Sequence, residues 1–482
     1  MAEWLCDRAH VRNLFLRLLG VIFLIAFLSL YVQVEVLIGS RGLLPAAAYL
    51  RTIGSVSLLD APTIFQIDCS DRALHGAALA GAVLSFGLIL SIAPRYALIL
   101  LWVLYLSFVT VGQDFFSFQW DNLLLETAFF SLFVTPGGLR PKQPPAPHPI
   151  AVFLMLWLVF RLNVESGLAK LLTGDPTWRN LTALVSYYET APLPTWVGWY
   201  AHQMPVWAHR LTALFTLVVE IGLPFFIWGP HRVRAVVFGV FALFQLSILL
   251  TANYGFFNYL SLCLLLWVLD DGHIVGLATR VRVPLRPPRA RPAGRARTWL
   301  LAAMASLLIP VSVVPFLRLT PWRAAFGAID RALDAYRSLN AYHLFASMTL
   351  VRREAVIEGS DDGEHWQEYE FCFKPGNPSR PPPFVAPYQP RVDFQLWFLL
   401  LGPHRAAPYF DTLLARLLQD PASVASLFCR EPFGVHPPRF LRVAVYQYHF
   451  TDWDTRRRTG RWWGRRLLGT SDIISRDQLR RE

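Results

Sequence analysis

Apolar runs long enough to cross a bilayer recur along this chain, and they restrict its fold more than any other feature. A helix needs roughly 20 apolar residues to traverse the hydrocarbon. Runs approaching that length fall at about 14–38, 73–93, 95–112, 121–136, 150–172, 207–228, 233–251, 255–269 and 298–317. The fourth and eighth are short, which suggests a tilted or re-entrant segment. Charged residues make up 16 % of the chain, against about a quarter in a soluble protein, and mean hydropathy is +0.38. The expected fold class is therefore a polytopic α-helical membrane bundle of about nine spans, with the lipid bilayer as its first partner. The first run is too long, and lacks the small-residue cleavage site, for a cleaved signal peptide. It reads as a retained span.

A net charge of +12 raises the question of nucleic acid. The arginines, however, cluster in loops beside apolar runs, where the positive-inside rule places them. No zinc-finger, RNP or helix-turn-helix pattern accompanies them, so no nucleic acid is expected as a partner. The linker "RVRVPLRPPRARPAGRAR" at 280–297 is the strongest cytoplasmic signal. Counting spans back from it puts "HRVR" at 231–234, Arg140 with Lys142, Arg95, and Arg8 with Arg12 on the same side. The N-terminus is then cytoplasmic, and everything after about 318 is exported.

That division suggests a membrane domain at 1–318 and an exported α+β domain at 319–482. In the second part, "FASMTLVRREAVIEGSDDGEHWQEYEFCFKPG" reads as strands around an "SDDG" turn. "RVDFQLWFLLLG" and "DTLLARLLQDPASVASLF" read as amphipathic helices, and "RFLRVAVYQYHF" alternates like a strand. Cys6 is expected in the cytosol. Cys372 and Cys429 are expected on the exported side, where a disulfide and a pair of buried thiols both remain open.

Motifs for enzyme chemistry are missing. The sequence contains no GxSxG, HExxH, CxxC, Walker A or strand-borne GxGxxG pattern, and no cofactor is implied. His202 and His209 lie two helical turns apart, too far for a shared metal. Asp270 and Asp271 precede Gly272 at a span end and read as solvating it, so no metal site is expected.

Ionisable residues within or near the spans carry more information. Arg161 and Glu165 are four apart on the 150–172 helix and can pair directly, while Asn163 and Lys170 fall on the opposite face. Candidate partners are Asp121 and Glu126 in "QWDNLLLETAFF" and Glu220 in "VVEIGLPFF". A buried charge persists only when paired and hydrogen-bonded. A salt-bridge network that fixes helix packing is one reading; a polar cavity that binds a small molecule or moves protons is the other. After the helix, "TGDPTWRNL" reads as an interfacial turn with Asp175 capping a new helix and Pro176 at its first position. Lys170, Asp175, Trp178 and Arg179 are expected near water, which leaves Arg161 and Glu165 as the buried pair.

The chain resembles the lipase maturation factor family along nearly its whole length. The resemblance rests on "IGSRGLLP", "FSFQWDNLLLETAFF", "GDPTWRNL", "YYETAPLP", "WAHR", "NYGFFNYL", "VIEGSDDGEHWQEYEF", "KPGNPSRPPPFVAPYQPRVDFQLWF" and "PFGVHPPRFLRVAVYQYHFTD". Gly174, Asp175, Trp178, Arg179, Tyr188 and Glu189 lie in the family-like interfacial stretch. Tyr187 departs from the pattern, where the family commonly has His. The resemblance implies a membrane protein that helps secreted lipases fold and assemble, and not a catalyst. It would sit in the endoplasmic reticulum membrane in a eukaryote, or the inner membrane in a bacterium. Its client, a secreted lipase, would meet the exported domain. A weaker similarity to the membrane domain of vitamin K-dependent carboxylase-like proteins implies an enzyme instead, with Lys170 or Glu126 as proton-transfer residue.

Overall fold

The computed structural model describes residues 7–54, 57, 60–141, 144–282, 284, 294–320, 333–402, 407–434 and 436–476. Cys6, Lys142 and most of the Arg-rich 280–297 linker lie outside these residues. Among the described residues, seven helices are long and apolar enough to cross a membrane, or eight if the bent pair Phe257–Val268 and Asp271–Arg280 counts as one span. In chain order the bundle comprises α1 (Ala9–Tyr31), α2 (Asp71–Ile89), α3 (Pro94–Val111), α4 (Gln119–Ser131) and α5 (Pro149–Leu172). It continues with α6 (Val206–Leu217), α7 (His231–Thr251), α8 (Phe257–Leu265) and α9 (Arg295–Val311). The run expected at 121–136 is the 13-residue α4, about 20 Å long, shorter than the roughly 30 Å hydrocarbon core.

Contacts at the two ends show that α4 and the turn after it reach from one end of the bundle to the other. At one end Arg8 Nε donates to Trp267 O and Leu269 O, next to the end of α8, and Arg95 Nη2 donates to Thr135 O just beyond α4. Arg12 caps Pro145 O before α5, and Arg234 meets Asp270. The arginines grouped by charge in the sequence therefore gather at one end. At the other end Gln119 of α4 hydrogen-bonds His343, and Gln33 Nε2 donates to Gln389 O. The C-terminal residues sit there, opposite the N-terminus.

Local chemistry starts the helices. Ser70 accepts from Ala73 N ahead of α2, and His148 accepts from Ile150 N ahead of α5, whose first residue is Pro149. Small residues then let helices approach: a Cβ on Gly81 of α2 would lie 2.4 Å from the Phe27 ring of α1.

The C-terminal part is α+β. Strand β1 (Arg352–Ser360) runs into the "SDDG" turn and pairs with β2 (Gln367–Glu368). β3 (Glu370–Phe371) pairs with β4 (Phe428–Arg430), and beside this pair Cys372 is bonded to Cys429, with Cα atoms 4.9 Å apart. β5 (Phe440–Phe450) lies along β1 in antiparallel register, Arg352 opposite Tyr448 and Ser360 opposite Phe440. β6 (Trp463–Thr470), which the sequence reading did not anticipate, pairs with the other side of β5, as does β7 (Ile474–Ser475). The resulting sheet has the order β2-β1-β5-β6, leaving β6 at an edge. The two amphipathic runs form α10 (Arg391–Leu396), continued by a 3-10 turn, and α11 (Pro408–Gln419). Leu413, Leu414, Leu417 and Leu418 of α11 are buried, the i, i+1, i+4, i+5 spacing of one helical face.

Candidate functional site

The ionisable residues of the bundle meet the C-terminal part in four clusters. In the first, Arg161 pairs with Glu165 (2.9 Å) and also with Glu126 on α4 (2.7 Å). The remaining valences of both acids are filled from the segment after α9. Glu126 Oε2 accepts from Asn340 N, Asn340 Nδ2 and Tyr342 OH, and Glu165 Oε2 accepts from Tyr342 N. Arg161 Nη2 donates to Asn340 O at 2.5 Å. The expected pair is thus the centre of a larger group, and both oxygens of Glu126 accept hydrogen bonds within it.

The second cluster corrects an expectation. Lys170 is 2 % exposed and Trp178 3 %, because the backbone of residues 344–348 covers them. Lys170 Nζ lies 2.7 Å from Glu220 Oε2 and donates to Leu344 O at 2.8 Å. Trp178 Nε1 donates to Phe345 O, and its ring stands 5.2 Å from the ammonium. Glu220 comes from a π-turn, Val218–Gly222, which continues α6. Gly167 of α5 permits the approach, since a Cβ there would lie 2.6 Å from Ile221 Cγ1. Asp175 is half-buried and Arg179 is exposed. Asp175 Oδ1 accepts from Thr177 N, capping the short helix Pro176–Arg179, and Oδ2 accepts from Met348 N. The Thr177 hydroxyl, then the N–H groups of Met348 and Thr177, hold its pKa below the usual value against the opposing effect of burial. Gly174 has φ +77° and turns the chain between the two helices.

Asp121, grouped in sequence with Arg161 and Lys170, belongs elsewhere. Both its oxygens bind Arg391, at 2.9 and 2.8 Å, and Tyr105 OH donates to Oδ1 at 2.5 Å. Arg391 stacks on Phe116 at 3.8 Å. In the fourth cluster Arg352 donates to the carbonyls of Glu189, Ala191 and Pro192, and pairs with Glu354, which also binds Lys374. Glu189 Oε2 accepts from Phe450 N, and burial raises its pKa. Tyr188 is buried beside Tyr187 and His209. Burial holds His202 down to about 4.

Sequence reasoning missed Asn340, Tyr342, Arg352, Glu354, Lys374 and Arg391. The available signal was charge balance: Asp121 had no basic neighbour at helical spacing, so its cation had to come from a distant segment. Among the described residues, one group of side chains could hold a metal: His231, Asp270 and His273. Asp270 Oδ2 is taken by Arg234 (2.5 Å) and His231 (3.0 Å), and Oδ1 caps His273 N. The group reads as a helix cap.

Between bundle and C-terminal part lies a cavity of about 900 Å³. Asn163 and Lys170 line it, whereas Arg161, Glu165 and Glu126 do not. The two faces of α5 are thus separated, one on an ion cluster and one on a cavity.

Residues 10–276 match the profile described as the lipase maturation factor transmembrane domain, and residues 338–472 match the lipase maturation factor C-terminal domain. The chain belongs to the lipase maturation factor family. It is 34 % identical to lipase maturation factor 2 of Homo sapiens, with 95 % of this chain and 81 % of that protein covered. It is equally 34 % identical to lipase maturation factor 1 of Bos taurus, covering 97 % and 90 %. No solved structure matches. The chain is accordingly a multi-pass membrane protein of this family. All four clusters use residues from both matched regions.

Proposed function

We propose that this protein is a membrane-bound maturation factor for secreted lipases and acts without catalysing a reaction. The observation that carries the reading is the alignment over nearly the whole chain with proteins named for that role. The chemistry is consistent with it. Glu126 is saturated by three donors and Arg161, and Lys170 is neutralised by Glu220, so neither offers a free base. The domains divide near 318, and the C-terminal part is the exported one. Arg8, Arg12, Arg95 and Arg234 at the opposite end favour a cytoplasmic N-terminus by the positive-inside rule. Asn180, in an Asn-Leu-Thr sequon, is exposed at the end that carries the C-terminal domain. In a eukaryotic host this end faces the lumen of the endoplasmic reticulum, and a glycan on Asn180 reports that orientation.

The client surface is the outer edge of the sheet. Among the described residues β6 pairs on one side only, and Leu467 and Leu468 are exposed there, with Ile473 following. An exposed apolar edge strand is suited to docking an incompletely folded chain by strand addition. The direct test is crosslinking pull-down of the full chain with a co-expressed secreted lipase. Capture of the lipase that is lost in Leu467→Lys/Leu468→Lys supports the reading. No capture by a properly glycosylated chain removes it.

A further inference from the structure

The cavity at the junction is not lined by β6, and its walls specify a ligand. Phe215, Leu350 and Leu401 line its mouth and are exposed, beside the polar Ser347 and Arg353. α7 packs on the π-turn Val218–Gly222 and the turn Leu223–Phe226 that continue α6 toward the N-terminal end. Nearer the domain, α6 and α7 touch through Phe215 and Phe244, ring centroids 6.3 Å apart. Thr212, Thr216, Ser247 and Ile248 of these two helices face the cavity, whereas Leu211, Leu214, Leu243, Leu246 and Leu250 are exposed on their outer surface. The gap between the two helices therefore lies where acyl chains surround the bundle.

Polar demand inside the cavity is specific. Asn258 is 0 % exposed; its Nδ2 donates to Gln245 Oε1 at 2.8 Å, while its Oδ1 has no hydrogen-bond partner among the described residues. Trp120 is 4 % exposed, and its Nε1 likewise has none. Leaving such buried groups unmet is costly, because they give up water without gaining a partner. A hydroxyl would satisfy the acceptor and an ester carbonyl the donor. The deep charges cancel, since Lys170 pairs with Glu220. Among the remaining lining groups, His343 is hydrogen-bonded to Gln119, and Arg353 is exposed at the mouth. The volume, about 900 Å³, is at the upper end of the roughly 300–1,000 Å³ of small-molecule sites. We propose that this cavity is a binding site for a neutral glycerolipid, an acylglycerol that enters from the bilayer between α6 and α7 with its hydroxyl and ester groups on Asn258 and Trp120.

The test uses the full chain purified in detergent, without a lipase, and a photoreactive diacylglycerol probe beside a photoreactive phosphatidylserine. The neutral probe should label peptides of α6 and α7, and excess dioleoylglycerol should compete the label at least fivefold while phosphatidylserine does not. Ser247→Phe and Thr216→Phe, which fill the gap, should each reduce labelling by a similar factor, and Arg353→Gln should leave it unchanged. Labelling outside the cavity helices, or no competition in the wild-type chain, overturns the proposal. So does stronger labelling by the anionic probe that falls with Arg353→Gln. A client-docking failure has no bearing on these readouts.

Discussion

Replacing Arg391 by Met tests whether the C-terminal domain is clamped to the bundle by buried ion pairs. Asp121 is 0 % exposed and Arg391 2 %, and the guanidinium supplies the acid with two hydrogen bonds from its fork. After Arg391→Met, Asp121 keeps only the Tyr105 hydroxyl as a donor among these contacts. Breaking a buried pair from one side costs roughly 3–5 kcal/mol, because an uncompensated charge remains. Asp121→Leu, which strands the arginine, should cost a similar amount. The double variant Arg391→Met/Asp121→Leu should recover much of the loss, since apolar replacement of a buried pair is often close to neutral. The assay is thermal unfolding in detergent followed by tryptophan fluorescence, for the four members of the cycle. At roughly 2–4 °C per kcal/mol for a unit of 150–250 residues, each single variant should lower Tm by roughly 6–20 °C. Single losses that add within about 0.5 kcal/mol would mean the residues are uncoupled, and the clamp argument would fail.

Other consequences follow from the same contacts. Gly167→Ile should drive α5 from the Glu220 turn, separate Lys170 from its acid and lower Tm by several degrees, whereas Gly76→Ala, where a Cβ meets nothing within 4 Å, should not. Asp393, whose Oδ1 accepts from Phe373 N and Lys374 N, is pushed up to about 6 by burial from the usual 3.8. Between about pH 4 and 6 the folded chain holds the proton that the unfolded chain releases, so this group's contribution to stability falls as pH rises through that window. Asp393→Asn should flatten that slope and keep both hydrogen bonds; Asp393→Ala should cost about 1–3 kcal/mol. A Cys372–Cys429 bridge closes a separation of 57 residues, so Cys372→Ser should destabilise the domain by roughly 2–4 kcal/mol. Mass spectrometry of the non-reduced peptides reads the bridge directly.

Much of the bundle was legible because its signal is local. Apolar runs mark the long helices, basic loops mark one end, and the four-residue spacing of Arg161 and Glu165 gives their contact. The strand Phe440–Phe450 is equally visible, as an alternating run. What stayed hidden depends on long-range pairing. Nothing near Asp121 in sequence points to Arg391, 270 residues away, and nothing near Lys170 says that residues 344–348 will cover it. The water expected around Lys170 and Trp178 was displaced by backbone whose carbonyls accept from both. β6 was missed because "WWGRRLLGT" has neither clean alternation nor a uniform apolar run. Its strand form comes from pairing with β5. The cavity was legible only as an alternative, from Asn163 and Lys170 on one face of a helix.

Secretion of active lipase is the measurement that bears most directly on the central claim. Cells lacking their own maturation factor would express a secreted lipase with the full chain, or with Leu467→Lys/Leu468→Lys at matched abundance and matched Asn180 glycosylation. The account predicts that lipase activity in the medium rises with the full chain and stays at background with the edge variant. A glycosylated, folded full chain that restores no activity, or an edge variant that restores all of it, would contradict the account.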